Sequence, residues 1–395
     1  MTRFLLATAR RSCTSSFAAT RTSTTAVRLL SSAAAEEGTV VSIEKTNARV
    51  FCLGTEGGNP VTIFATPRGD LPVSLKTRLA KTCDWESVVV SGTTGGSESA
   101  PPTMAFFMPS GEEVSFCAHA AIGGATAMGD DREASSSSWD FRAATTRDPF
   151  RVDMVAEEGG ETGASSGKSR RCNLHMKGVP FREAPLSQTG SRTLGEWSDE
   201  LGWSIAGNGN DDGNNKNEGI RNASVARPKT LVELESVDAV QRAGVPSAAN
   251  GLFADACDAM DGSTGVYVYA PVNKNDGDAG GDAGQAPLAF ECRQFPRSSG
   301  YPEDPATGIA AAALAASVWF GGGGEEIPAA PASFDVYQGT AMGRPSLIQV
   351  VGLRIDGNDG NSTNNGDEEN GPTIAFGLQG RVEIDDASTI RATLG

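Results

Sequence analysis

Two stretches limit the architectures open to this chain. Ala118–Met128 and Gly308–Trp319 are built of Ala, Gly and other apolar or small residues, and neither contains Asp, Glu, Lys or Arg. A helix with no polar face has nothing to show water, so each must be enclosed on all sides. Their small side chains let the enclosing strands come close. Each follows a strand and a polar loop, Pro109-Ser-Gly-Glu-Glu-Val-Ser-Phe-Cys-Ala-His119 in one case and Gly300-Tyr-Pro-Glu-Asp-Pro-Ala-Thr-Gly308 in the other. Strand, acidic loop and buried helix thus occur twice. This suggests two similar halves, each a sheet wrapped around its central helix. Two helix N-termini facing one cleft offer free N–H groups and positive dipole ends to a small carboxylate. A cleft between halves is also the default place for a ligand.

Around the helices the pattern is one of short strands. Arg49–Phe51 and Val61–Phe64 read as strands about a Gly57-Gly58-Asn59-Pro60 turn. Ser87–Ser91, Met104–Met108, Leu231–Leu234, Gly265–Tyr269, Leu288–Arg293, Thr373–Phe376 and Arg381–Ile384 read likewise. The first half spans 41–165 and the second 172–395. Four polar segments interrupt them: Glu157–Arg171, Gly207–Gly219, Asn273–Gln285 and Asp356–Gly371. Rich in Gly, Asn, Asp, Glu and Ser, they bury too little apolar area to offset their ordering entropy and read as expanded surface loops. Residues 1–35 differ again. They hold Arg3, Arg10, Arg11, Arg21 and Arg28, no acid, and much Ser, Thr and Ala. That is the composition of an organelle transit peptide, and a mitochondrial matrix location is expected, with plastid or cytoplasm as alternatives.

Composition narrows the function. A formal charge of −16 speaks against a nucleic-acid partner, since phosphate binding needs a basic surface. No run of about 18 apolar residues is present for a membrane helix. His119 and His175 are the only histidines, too few for a zinc site of several imidazoles. The seven cysteines form no CxxC pair and read as small hydrophobes in a reducing compartment. No GxGxxG or Walker loop suggests a nucleotide, and no cofactor is expected.

Five ordered segments carry a resemblance. Gly58-Asn-Pro-Val-Thr-Ile-Phe64, Asp84-Trp-Glu-Ser87, Phe107-Met-Pro109 with Glu113-Val-Ser-Phe-Cys-Ala-His119, Arg293-Gln-Phe295 with Glu303-Asp-Pro-Ala-Thr-Gly308, and Gln338-Gly339 with Met342-Gly-Arg-Pro-Ser346 follow one another in order. Together they resemble the PhzF family of phenazine-biosynthesis-like proteins. The resemblance covers the chain from about Val41 onward, with the polar segments as insertions. It implies the diaminopimelate-epimerase-like fold, an α+β protein of two pseudo-symmetric halves, each a barrel-like, mostly antiparallel sheet around its central helix, and a homodimer. It also implies isomerisation of a small carboxylated amino- or hydroxy-acid by proton transfer between carbons. By that resemblance Glu86 is the general acid/base, and His119 and Asp304 hold and polarise the substrate. Thr307 and Gly308 offer helix N-terminal N–H groups to its carboxylate. Glu303, Arg293 and Phe295 read as support, and His175 as structural.

This chain departs from the family pattern at Ala118, where glycine is usual, at Ile309, where serine is usual, and at Ala105, where an arginine is often found. Two alternatives follow. One is a catalytically inactive binding or interaction protein on the same scaffold. The other is an amino-acid epimerase or racemase, for which Cys117 stands at the place of one catalytic thiol. The second-half loop Asp304–Gly308 supplies no partner thiol, and Cys292 lies on the strand before it, so Cys117 reads better as a small buried residue.

Overall fold

A computed structural model describes residues 40–66, 69–92, 101–128, 138–155, 169–206, 220–246, 252–272, 287–320, 330–356 and 372–393. The expected transit peptide and nearly all of the four polar segments lie outside them. The strands are β1 (Val40–Cys52), β2 (Asn59–Thr66), β3 (Ser87–Ser91), β4 (Thr103–Phe107), β5 (Glu113–Val114), β6 (Ser138–Ala143), β7 (Pro149–Val155), β8 (Ser169–Ala184), β9 (Ile220–Val225), β10 (Arg227–Glu233), β11 (Gly265–Pro271), β12 (Leu288–Pro296), β13 (Ser333–Gln338), β14 (Ser346–Ile355) and β15 (Thr373–Thr393). The helices are α1 (Val73–Ala80), α2 (Ala118–Met128), α3 (Gln188–Leu201), α4 (Val237–Arg242), α5 (Leu252–Ala259) and α6 (Gly308–Phe320).

All strands join in one hydrogen-bonded sheet, and its pairings trace two closed circuits. The first runs β1-β2-β3-β4-β6-β7-β8-β15 and returns to β1. The second runs β8-β9-β10-β11-β12-β13-β14-β15 and returns to β8. The long strands β8 and β15 belong to both. Most pairings are antiparallel; β2–β3, β4–β6, β10–β11 and β12–β13 are parallel.

Helix α2 packs on β1, β2, β3, β4, β7, β8 and β15, and α6 on β8, β9, β10, β14 and β15. Both enter one continuous core, in which Ile122 and Leu314 are fully buried. Burying such a side chain contributes about 2 kcal/mol. The lack of bulk on α2 is required by the packing. A Cβ at Gly123 would lie 2.7 Å from Val61 Cγ1, and one at Gly124 would lie 3.1 Å from Met104 Cε. Strand alternation feeds a second layer outside the sheet. In β3, Val88 and Val90 face α2 while Val89 packs with Leu75 and Leu79 of α1. In β11, Tyr267 and Tyr269 face inward while Val266 and Val268 pack under α3, α4 and α5 with Phe253 and Val240.

Several expectations need correction. Asn59 and Pro60 begin β2 rather than forming the turn. Residues 169–171, read as polar insertion, are the start of β8, where they pair with β15. Thr373–Phe376 and Arg381–Ile384 are parts of one strand. The first circuit is completed by β8 and β15, so it extends beyond residues 41–165. Helix α3 was not foreseen, although Ser187 caps its start and Gly202, at φ 66°, ends it. Among the described residues no helix is long and apolar enough to cross a membrane.

Candidate active site

Glu86 is placed by the backbone around it. Its carbonyl accepts from Thr62 N–H of β2 at 3.2 Å, which fixes it at the mouth of β3. The side chain is buried, and its two oxygens differ. Oε1 accepts from the Tyr301 hydroxyl, while Oε2 has no hydrogen-bond partner. His119 Nε2 lies 3.9 Å from that free oxygen. Burial raises the Glu86 pKa, and the Tyr301 hydrogen bond opposes the rise.

His119 sits in the first turn of α2, and burial pushes it down to about 4, so its ring is neutral near pH 7. Cys117 Sγ lies 3.4 Å from His119 Nδ1. Burial holds the Cys117 thiol well above its ordinary pKa, so it stays protonated and can donate to Nδ1. The ring proton then belongs on Nε2, facing Glu86.

Asp304 reaches the same place from the loop before α6. Its N–H donates to Gln294 O at 3.0 Å. Its Oδ2 accepts from Thr307 Oγ1 at 2.6 Å, and its Oδ1 from Asn59 Nδ2 at 2.8 Å. Burial, then the nearby Glu86 charge, raises it to about 6. Asn59 binds the two halves of the site together. Its Nδ2 also donates to Ala306 O at 2.7 Å and lies 3.4 Å from His119 Nδ1. Gln338 locks the loop from below: Nε2 donates to Asp304 O at 2.6 Å, and Oε1 accepts from Tyr267 Oη at 2.9 Å. Gly339 permits this closeness, since at φ 77° a Cβ would fall 2.2 Å from Arg344 O.

The structure therefore brings Glu86, His119, Asp304, Thr307 and Gly308 to one cleft of about 1360 Å³. Two details differ from expectation. The Thr307 N–H is already taken by Gln338 Oε1 at 3.2 Å, so Gly308 is the first α6 position to offer an N–H. Cys117 is half-buried and lines the cleft beside His119, so it is more than a packed hydrophobe. Cys292 is fully buried in the core and the second-half loop brings no thiol, which leaves no pair of facing thiols among the described residues. The Ala118 methyl does not crowd the start of α6: even a Cβ on Gly308 would lie 3.5 Å from it, an ordinary contact.

Arg293 and Glu303 form a buried bidentate pair, with both contacts at 2.8 Å, and Arg293 also donates to Ala243 O at 2.5 Å. Their role is to hold the loop that presents Asp304. His175 lines the cleft and contacts Asp153 Oδ2 at 2.6 Å. Tyr301 and Asn59 were not singled out from sequence, although both lie within the quoted segments. Trp85 beside Glu86 packs on Tyr301 with ring centres 5.2 Å apart, and Arg344 lies 4.6 Å above the Trp85 ring. Among the described residues no group of three His, Cys, Asp or Glu side chains converges as a metal would need.

No family model matches the chain and no curated protein matches it. Solved structures do. A phenazine biosynthesis protein of the PhzF family from Bacillus anthracis aligns over 88% of this chain and 99% of its own, with TM-score 0.59 and 16% identity. A predicted epimerase from Pseudomonas aeruginosa aligns over 89% and 99%, with TM-score 0.56 and 17% identity. A PhzF-family protein from Enterococcus faecalis aligns over 89% and 100%, with TM-score 0.54 and 15% identity. The chain has the fold of these proteins.

Proposed function

We propose that this chain is a cofactor-independent isomerase that moves a proton between carbons of a small carboxylated amino- or hydroxy-acid. The observation that carries the reading is the free Oε2 of Glu86, buried at a cleft wall while Tyr301 holds the other oxygen. Such a carboxylate takes a proton from carbon through Oε2, the C–H electron pair passes into the adjoining π system, and the proton returns to a different carbon. Burial raises the basicity of the group toward this task, and positioned acid–base catalysis of this kind contributes on the order of 10²–10⁴-fold. Neutral His119 donates a hydrogen bond from Nε2 and Asp304 accepts one, so together they orient the amine or hydroxyl. The α6 N-terminus from Gly308 onward attracts the carboxylate.

The test is deuterium incorporation. The protein from about Glu36 onward is incubated in D₂O with amino- and hydroxy-acids, and carbon-bound deuterium is followed by NMR. Glu86→Gln should abolish it; exchange that survives in Glu86→Gln would sink the role of Glu86. The competing reading is a non-catalytic binding protein. It gains if binding is found without exchange for every compound bound. The two circuits fit a repeated plan of two related halves. Homodimerisation and mitochondrial targeting accompany the reading, and sedimentation and import of the full chain test them.

A further inference from the structure

The cleft extends past Asp304 to a group that proton transfer at Glu86 does not use. Leu231, Tyr267 and Cys292 mark the inner faces of β10, β11 and β12, since all three join the core around α6. Lys229 precedes Leu231 by two residues and Gln294 follows Cys292 by two, so both share that inner face at the cleft end, and both line the cleft. Between them on β11 stands Gly265. A Cβ there would fall 2.4 Å from Gln294 Nε2, so the Gln294 amide reaches across β11 in the direction of Lys229.

Neither side chain is fully satisfied by protein. Lys229 is 8% exposed, and its Nζ makes one long hydrogen bond, to Thr264 O at 3.4 Å, and no ion pair among the described residues. Gln294 is 1% exposed, and both its Nε2 and Oε1 lack partners. A buried ammonium and a buried amide left open in this way are costly unless something else completes them. The charged neighbours of Lys229 are Asp304, which favours its proton, and Arg227, which opposes it; Cys257 is also near. Burial lowers Lys229 only to about 8, so the ammonium form still prevails near neutral pH. Arg227 is exposed at the cleft rim and adds positive charge to an acidic protein.

We propose that Lys229 and Gln294 form a second anion subsite, which receives a distal carboxylate of the substrate and makes that substrate a dicarboxylate. This rests on the proton-transfer reading for the placement of the reacting carbon at Glu86. Lys229 supplies charge and Gln294 Nε2 a directed donor, a combination suited to a carboxylate.

Calorimetric titration of the intact protein tests it. The probes are succinate, glutarate and adipate against butyrate, valerate and hexanoate, matched by chain length. At least one dicarboxylate is expected to bind about tenfold or more tightly than its partner, the scale of one charge-assisted contact. Lys229→Met should erase the preference, and Glu86→Gln should keep it. If no dicarboxylate outbinds its partner in the unaltered protein, the subsite is refuted. A preference unchanged in Lys229→Met refutes it equally, with Gln294→Leu read in its place should the methionine variant not fold. Binding is measured without turnover, so a failed exchange experiment at Glu86 and a failed subsite are distinguishable.

Discussion

At Glu86 the two carboxylate oxygens have different surroundings, and this asymmetry sets what single substitutions should do. Tyr301→Phe removes the hydrogen bond that favours the ionised form. The acid limb of the pH–rate profile should move to higher pH, and the rate should fall by about tenfold or more. An unshifted limb would mean Tyr301 does not tune Glu86. His119 makes a separate prediction. It is neutral in the fold down to about pH 4, while in the unfolded chain it protonates near its ordinary 6.5. Over that window the unfolded chain binds more protons, so His119 costs stability as pH falls from about 6.5 to about 4. Asp304 and Glu86, both raised, act with the opposite sign as pH falls. His119→Asn should therefore lose less stability on acidification than the unaltered protein, as read by denaturation at pH 7 and pH 4.5. That Glu86, His119 and Asp304 come to one cleft was legible because each sits in a recognisable segment. Tyr301 was not, since its bond to Glu86 spans 215 residues and depends on how one loop closes over another. Lys229 was hidden for a different reason: a lysine at a strand end reads as solvated, and only the fold shows that it is buried.

Elements carry the next layer. Helix α2 was readable to the residue and α6 within one, because an uncharged small-residue run has few other solutions. Helix α3 is amphipathic, and its signals were the caps Ser187 and Gly202, a weaker signature beside long polar inserts. Strands β7, β8 and β9 border polar segments, beside which their alternation is easily lost. The loop before α6 owes its shape to Arg293 and Glu303. Both are about 5% exposed, so Arg293→Met leaves a buried carboxylate alone and should cost about 3–5 kcal/mol in urea denaturation. A loss under about 1 kcal/mol would mean the pair is not what holds the loop. Gly123→Val should cost about 1–3 kcal/mol, because its side chain meets Val61 directly.

For the molecule as a whole, the repeated helix pattern made two enclosed helices legible, but not that the strands around them are shared. Nothing within a single strand names its partner. Because β8 and β15 serve both circuits and one core holds α2 and α6, thermal unfolding should be a single transition. Far-UV circular dichroism and tryptophan fluorescence should coincide, with Trp85 reporting beside β3 and Trp203 beneath the outer helices. Two separated transitions would show that the circuits fold independently. The shared strand β15 also orders events in time. Its ladder with β1 joins Val40 to Thr393, so β1 must wait for β15, made about 340 residues later. During synthesis at about 5–20 residues per second, the nascent first circuit stays open along β1 for tens of seconds. Over that interval its edge and the apolar lining meant for α2 are available to other chains, so the growing polypeptide is a natural client for chaperones until β15 has left the ribosome.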